Sequence, residues 1–173
     1  MVARSRGVDI LRQGSGNPGA SNVARVLGSR WGALVFGLDA LKGALPALMG
    51  LALDTRPGAY ILVSAAVLGH MYPVTRRFRG GKGVATIAGA MTVLHPLTSL
   101  ILLGLWIIVR KATAKASLAS LLITVGLPVG VAVEGARAWE IVYVVALCAL
   151  VLVRHIENIK RLIGRRELSA DHR

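Results

Sequence analysis

The sequence predicts an all-α protein, a polytopic bundle of membrane helices containing one broken, re-entrant hairpin, and three observations carry that prediction. Hydrophobic residues make up 54% of the 173, while 21 Lys and Arg against 8 Asp and Glu leave a formal charge of +13. Apolar and basic residues are segregated along the chain, as in apolar spans joined by cationic loops. A proline, Pro96, interrupts one long apolar run near its middle. The charge alone would suit a nucleic-acid-binding protein, but a soluble basic domain does not carry so many long apolar runs, and no nucleic-acid partner is expected. The single cysteine, Cys148, lies inside an apolar run, which excludes an intramolecular disulfide and a cysteine metal cluster.

Residues 1–30 form a basic segment rich in Gly, Ser and Asn, expected on the cytoplasmic side. Residues 31–53 are the first run long enough to cross a bilayer at ~20 residues. Within it Asp39 and Lys42 are three apart, so they share a helix face and can neutralise one another. A turn at 54–58 leads into a shorter apolar run, 59–73, and then into a basic stretch ending at Lys82. Residues 84–109 are apolar with His95-Pro96 in their middle; 116–133 and 138–153 follow, separated by a weakly charged turn at 134–137. The tail, 154–173, is polar and mostly basic. The whole chain reads as one membrane-embedded domain with its membrane helices between 31 and 153.

Charge also sets the topology, because cations collect in cytoplasmic loops. The N-terminal segment, the loop at 76–82, the loop carrying Arg110, Lys111 and Lys115, and the tail are all cationic; the turns at 54–58 and 134–137 carry one cation each. A single crossing by 84–109 would strand one basic segment outside. A hairpin resolves this, with 84–94 and 96–109 as two short half-helices that break at Pro96 and enter and leave on the cytoplasmic side.

That face would then gather four chemistry-bearing stretches. Gly80-Gly81-Lys82-Gly83 is a glycine-rich basic turn before a helix start, suited to hold a phosphate on backbone N–H groups, the helix dipole and the Lys82 charge. It is not the nucleotide P-loop, which needs Ser or Thr where Gly83 stands. The flexible, hydrogen-bond-rich stretch from Gly14 to Arg25 offers Ser15, Asn22 and Arg25 to a polar ligand, the guanidinium being shaped to grip phosphate. In the third stretch, an amphipathic helix over 154–164, His155 and Asn158 share a face, Ile156, Ile159 and Ile163 line another, and Glu157 can pair with Arg161 at i,i+4. Ser117, at the start of another apolar helix, is either a cap or a ligand contact. The residues alone point to a substrate with a phosphate head and an apolar tail, and leave an anion transporter or channel open as the alternative.

These stretches resemble the acyl-phosphate-dependent glycerol-3-phosphate acyltransferases of bacteria, the PlsY family. The resemblance rests on Gly14 to Arg25, on Gly69-His70-Met71-Tyr72-Pro73 followed by Gly80 to Thr86, and on His155 to Arg161, in that order. It implies acyl transfer from acyl-phosphate to the 1-hydroxyl of glycerol 3-phosphate, giving lysophosphatidic acid and phosphate in the first step of phospholipid synthesis. It also implies a multi-pass protein of the inner or plasma membrane, facing the cytoplasm and needing no cofactor or metal. The Gly80–Gly83 loop would bind a substrate phosphate; Ser15 and Arg25 match positions needed for activity; Ser117, His155 and Asn158 match polar positions lining the site; and Glu157 resembles the structural acid of the third motif. Either His155 or the donor's own phosphate would take the hydroxyl proton. A soluble enzyme that makes acyl phosphate is a candidate partner on resemblance alone. Family members usually carry one more apolar helix before the first motif, so this chain is expected either to lack that helix or to start upstream of Met1.

Overall fold

A computed structural model describes residues 2–53 and 55–169. Asp54 of the first predicted turn and residues 170–173 of the predicted tail lie outside the described residues. Among the described residues eight α-helices follow in order: α1 (Ala20–Leu27), α2 (Ser29–Ala52), α3 (Arg56–Met71), α4 (Val84–Leu94), α5 (Pro96–Thr113), α6 (Ala116–Val133), α7 (Ala138–Arg154) and α8 (Ile156–Ile163). Short 3-10 turns form at Arg4–Arg6 and Val74–Arg76, and no strand occurs among the described residues. Among the described residues four segments are long and apolar enough to cross a bilayer: α2, α3 continued through the 3-10 turn that follows it (Arg56–Arg76), α5 and α6. The bent pair α7 and α8 supplies a fifth candidate; α7 is its crossing part, because the eight residues of α8 carry Glu157, Lys160 and Arg161.

The packing inverts the pattern of a water-soluble core. Along α2 the bulky residues Leu34, Phe36, Leu38, Leu41, Leu45 and Leu48 are exposed, while Gly32, Asp39, Gly43, Ala47 and Gly50 are buried. Lipid tails are as apolar as leucine, so large side chains gain little by turning inward, and small ones let backbones approach. A Cβ at Gly43 would overlap the Thr86 carbonyl of α4, and one at Gly89 would overlap the Ala40 carbonyl of α2. Gly50 abuts Ala59 of α3 in the same way. The main core then fills between α3, α4, α6 and α7 with Tyr60, Val63, Met71, Met91, Leu127 and Val144.

The predicted break is present. His95 leaves the helical region at φ −142° and ψ 71°, and Pro96 opens α5 at its first turn. In lipid the freed backbone groups need partners, and the far ends of α3, α6 and α7 supply them. Arg56 Nη2 donates to the Leu94 carbonyl at 3.2 Å, and Glu134 Oε2 accepts from Thr98 N at 2.9 Å and Thr98 Oγ1 at 2.5 Å. Tyr60 Oη and His95 Nε2 lie 2.7 Å apart, and Arg56 is paired with Glu140. The two feet of the hairpin, Val84 and the loop to Ala116, return to one face and line one cavity, as the charge argument expects. The second arm is longer than the predicted half-helix. It runs to Thr113 because Arg110 and Lys111 suit a helix C-terminus, and it stops where Ala114 turns left-handed at φ 54°.

Residues 2–30 are more ordered than a flexible segment. Ala20–Leu27 is helical, and Ala3, Ile10 and Val23 form a small core with Trp31. The close α2–α4 contact predicts that Gly43→Ala lowers stability by about 2 kcal/mol, read as a fall in Tm in detergent, because overpacking shifts a backbone rather than a flexible side chain. Gly37→Ala on the open face of the same helix, where an added Cβ meets nothing within 4 Å, should leave Tm unchanged or raise it.

Candidate active site

A cavity of about 600 Å³ opens where α1, α4, α6 and α7 end. Its head is lined by Ser15, Arg25, Lys82, Ser117, His155 and Asn158, and its body runs between the helices past Phe36, Met91, Leu102, Trp106 and Leu127. Asn22 and Gly83 also line it, so three separated stretches of the chain and Ser117 meet in one place.

Of the four residues in the glycine-rich loop, only Gly83 has a positive φ, +83°, where it starts α4. Gly80 and Gly81 serve close approach instead. A Cβ on Gly80 would strike the His70 carbonyl, and one on Gly81 would strike the His70 ring, whose residue also accepts from Gly81 N at 3.2 Å. Gly80 lines a smaller adjoining cavity, and Gly81 lines neither. The first turn of α4 carries no side-chain cap, and its Val84 and Ala85 line the cavity, leaving the helix N-terminus available to an anion.

Lys82 Nζ donates to Asn158 Oδ1. Burial, with Arg161 close by, lowers this ammonium to about 8. The positive charge is therefore poorly compensated, a state that an arriving phosphate relieves. His155 is the first residue past α7, and burial reinforced by Lys82 pushes its imidazolium down to about 4, so the ring is neutral near pH 7. Its Nδ1 lies 2.8 Å from the Val151 carbonyl. A carbonyl can only accept, so Nδ1 carries the proton and Nε2 presents a lone pair. The Ser117 hydroxyl is buried with no partner among the described residues, which favours the ligand-contact reading over the cap.

Asn22 and Arg25 are partly committed to the protein. Asn22 Nδ2 donates to the carbonyls of Ile10 and Gln13, and its Oδ1 accepts from Ser15 N at 2.8 Å and Arg25 Nη1 at 3.1 Å. Asn22 thus builds the loop that presents Ser15, and positions Arg25, rather than reaching out to a ligand. Arg25 Nε donates to the Ser169 carbonyl at 2.7 Å, and burial lowers the guanidinium from its ordinary value.

The acid of the third stretch is corrected. Glu157 does not pair with Arg161; its carboxylate is 71% exposed and meets Lys160 at 3.0 Å. The buried acid is Glu167, 3% exposed, which accepts from Asn158 Nδ2 at 2.9 Å and from Arg161 Nε at 3.2 Å. The chain reverses after α8 through Arg165, at φ 54°, and brings Glu167 back beneath Asn158. Helix spacing finds only i,i+3 and i,i+4 partners, so the reversal hid this pair.

The family model described as glycerol-3-phosphate acyltransferase matches residues 1–165. This chain belongs to that family. It is 44% identical over 165 residues to the glycerol-3-phosphate acyltransferase of Myxococcus xanthus, covering 94% of this chain and 85% of the relative. It is 39% identical over 170 residues to that of Aquifex aeolicus, covering 96% and 88%. The crystal structure of PlsY, an integral membrane glycerol 3-phosphate acyltransferase, in its glycerol 3-phosphate form superposes with a TM-score of 0.91 at 39% identity, covering 97% of this chain and 85% of that one. The lysophosphatidic acid form of PlsY gives a TM-score of 0.88 at the same identity and coverage.

In this acyltransferase-family chain the geometry adds Glu167, which patterning missed, and gives a contact to His70 of the second motif. Glu167 orients the amide that holds Lys82. His70, pressed on Gly81, lies 3.6 Å through Nδ1 from Asp39 Oδ1, and Asp39 is paired with Lys42 at 2.6 Å as the spacing suggested. Glu167→Gln leaves Arg161 without its buried counter-charge and should cost about 3 kcal/mol, seen as a large drop in Tm. Glu157→Gln should stay within about 0.5 kcal/mol of the parent; the reverse ranking would restore Glu157 as the structural acid.

Proposed function

We propose that this chain transfers a fatty acyl group from acyl-phosphate to the 1-hydroxyl of glycerol 3-phosphate, releasing lysophosphatidic acid and inorganic phosphate at the cytoplasmic face of the membrane. One observation carries the reading: a single cavity has a cationic, donor-rich head continuous with an apolar body between helices. That shape suits two phosphorylated reactants, one of them with a long tail. Family membership and the glycerol 3-phosphate and lysophosphatidic acid forms of PlsY support the acceptor and the product. The cationic loops that collect on the cavity side support the orientation.

An acyl phosphate is an activated anhydride, so alignment and charge neutralisation suffice and no acyl-enzyme is needed. The acceptor hydroxyl oxygen bonds to the carbonyl carbon, the carbon–oxygen bond to phosphate breaks, and the hydroxyl proton leaves with the phosphate. The choice of proton acceptor follows from basicity. As the carbon–oxygen bond breaks, the leaving phosphate gains a further negative charge that raises its basicity, whereas burial holds His155 down at about 4. The donor's phosphate is therefore the stronger base, and His155 Nε2 orients the hydroxyl as a hydrogen-bond acceptor. Lys82, Arg25 and the amides of α4 hold the phosphate charge.

Purified protein given palmitoyl phosphate and labelled glycerol 3-phosphate should form lysophosphatidate; product from palmitoyl-CoA but none from palmitoyl phosphate would overturn the donor assignment. His155→Ala should lower kcat by about tenfold to a hundredfold, with protein level intact. Lys82→Ala should raise KM for glycerol 3-phosphate by more than about tenfold. With Lys82 near 8 in the free protein, kcat/KM for glycerol 3-phosphate should fall as pH rises through about 8, because the ammonium is lost, and Lys82→Arg should abolish that limb. A flat profile in the parent would remove Lys82 from phosphate binding.

A further inference from the structure

Beside the acyl cavity lies a second one of about 370 Å³, whose lining includes Asn17, Arg79, Gly80, Arg154 and Arg161. The two cavities share Ser15, Asn17, Lys82 and Asn158, so Lys82 stands at the doorway between them. The charges in the smaller one are lopsided. Arg79, Lys82, Arg154 and Arg161 line it with one acid among the lining residues, Glu157, which is already paired with Lys160; of the four cations only Arg161 has a carboxylate partner, Glu167.

Arg154 ends α7, donates through Nη2 to the Gly80 carbonyl at 3.1 Å and lies over the Tyr72 ring at 5.4 Å from its centroid. Its Nε is buried with no partner among the described residues. A buried guanidinium N–H without an acceptor is costly unless something accepts from it. The side chain of Arg79 makes no hydrogen bond or ion pair among the described residues; only its backbone N–H is engaged, by Arg76 at 3.1 Å. The sequence motifs give Arg154 and Arg161 no ligand role, and Arg79 enters there only as a charge beside the glycine-rich turn.

We propose that this antechamber is a second phosphate-binding subsite, distinct from the head of the acyl cavity, in which Arg79 and Arg154 hold a small soluble dianionic phosphate. The assignment of that phosphate to glycerol 3-phosphate on its way in and inorganic phosphate on its way out rests on the proposed function; the subsite itself does not. Two dianions side by side in one pocket repel strongly. A separate cationic room, joined to the first by Lys82, lets one phosphate wait or leave while the other is engaged. An anionic lipid headgroup offers the same phosphate chemistry, and the test separates the two sources.

Inorganic phosphate is titrated calorimetrically into the full-length protein in neutral detergent, in parallel with phosphatidylglycerol in mixed micelles, for the parent, Arg79→Gln, Arg154→Gln and the double variant. The parent should bind one phosphate more than the double variant, with the retained binding unchanged. Arg79→Gln, which breaks no internal contact, should alone weaken one site by about fivefold. In turnover the double variant should show a KM for glycerol 3-phosphate raised by about fivefold and less sensitive to ionic strength, with kcat and the KM for palmitoyl phosphate within about twofold. An equal number of phosphates bound by parent and double variant overturns the proposal. An effect of Arg154→Gln with none of Arg79→Gln overturns it too, since Arg154 would then only brace Gly80. Binding of phosphatidylglycerol, but not of inorganic phosphate, that depends on the arginines would assign the room to a lipid headgroup and equally overturn it. A parent that makes no lysophosphatidate, yet loses one bound phosphate on substitution, would remove the proposed function and leave the subsite standing.

Discussion

The structure depends on the backbone contact between α2 and α4. Gly43 meets the Thr86 carbonyl and Gly89 meets Ala40, so two helices touch with no side chain between them. In lipid there is no hydrophobic drive to bring helices together, and short-range packing between small residues must hold them. This contact fixes α4, an 11-residue helix too short to cross the bilayer alone, and so fixes the depth of the Lys82 loop that precedes it. The apolar body of the cavity borders the same contact, with Ala40, Ala88 and Gly89 in its wall.

The two ends of α4 meet the polar demands of a membrane differently. At its C-terminus, Arg56, Tyr60, Glu134 and Glu140 close around His95 and leave the hairpin tip satisfied. Its N-terminus is left open: no side chain caps it, and Lys82, Ser117 and the His155 ring face a cavity with unmet hydrogen-bonding capacity. One end anchors, and the other keeps donors free for the phosphate proposed to bind there. Such a division is sound only if the waiting groups are held in place. Glu167 does this for Asn158, Asn22 for Ser15 and Arg25, and His70 for Gly81.

The side chains at the head are modest as catalysts, and the chemistry proposed for them is correspondingly light. A neutral imidazole at about 4 and an ammonium at about 8 are tuned to accept a hydrogen bond and to welcome an anion, not to store a proton through a covalent cycle. With an activated donor, binding two phosphates in register supplies most of what the reaction requires.

By itself the sequence determined the helical class, the spans, the break at Pro96, the gathering of cationic loops on one face and most of the residues at the cavity head. These follow from local patterns: lipid forces hydrophobic segments into helices, proline ends a helix, and cations stay out of the bilayer. Tertiary structure alone decided which partner each side chain takes. It exchanged Glu157 for Glu167 through a left-handed turn at Arg165. It made Asn22 a builder of its loop, and gave Gly80 and Gly81 the task of clearing His70 rather than bending the chain. The reason is that hydrogen bonds and close approaches are settled by chain reversals and by neighbours far away in sequence, whereas periodicity and charge report only on a helix and the solvent it meets.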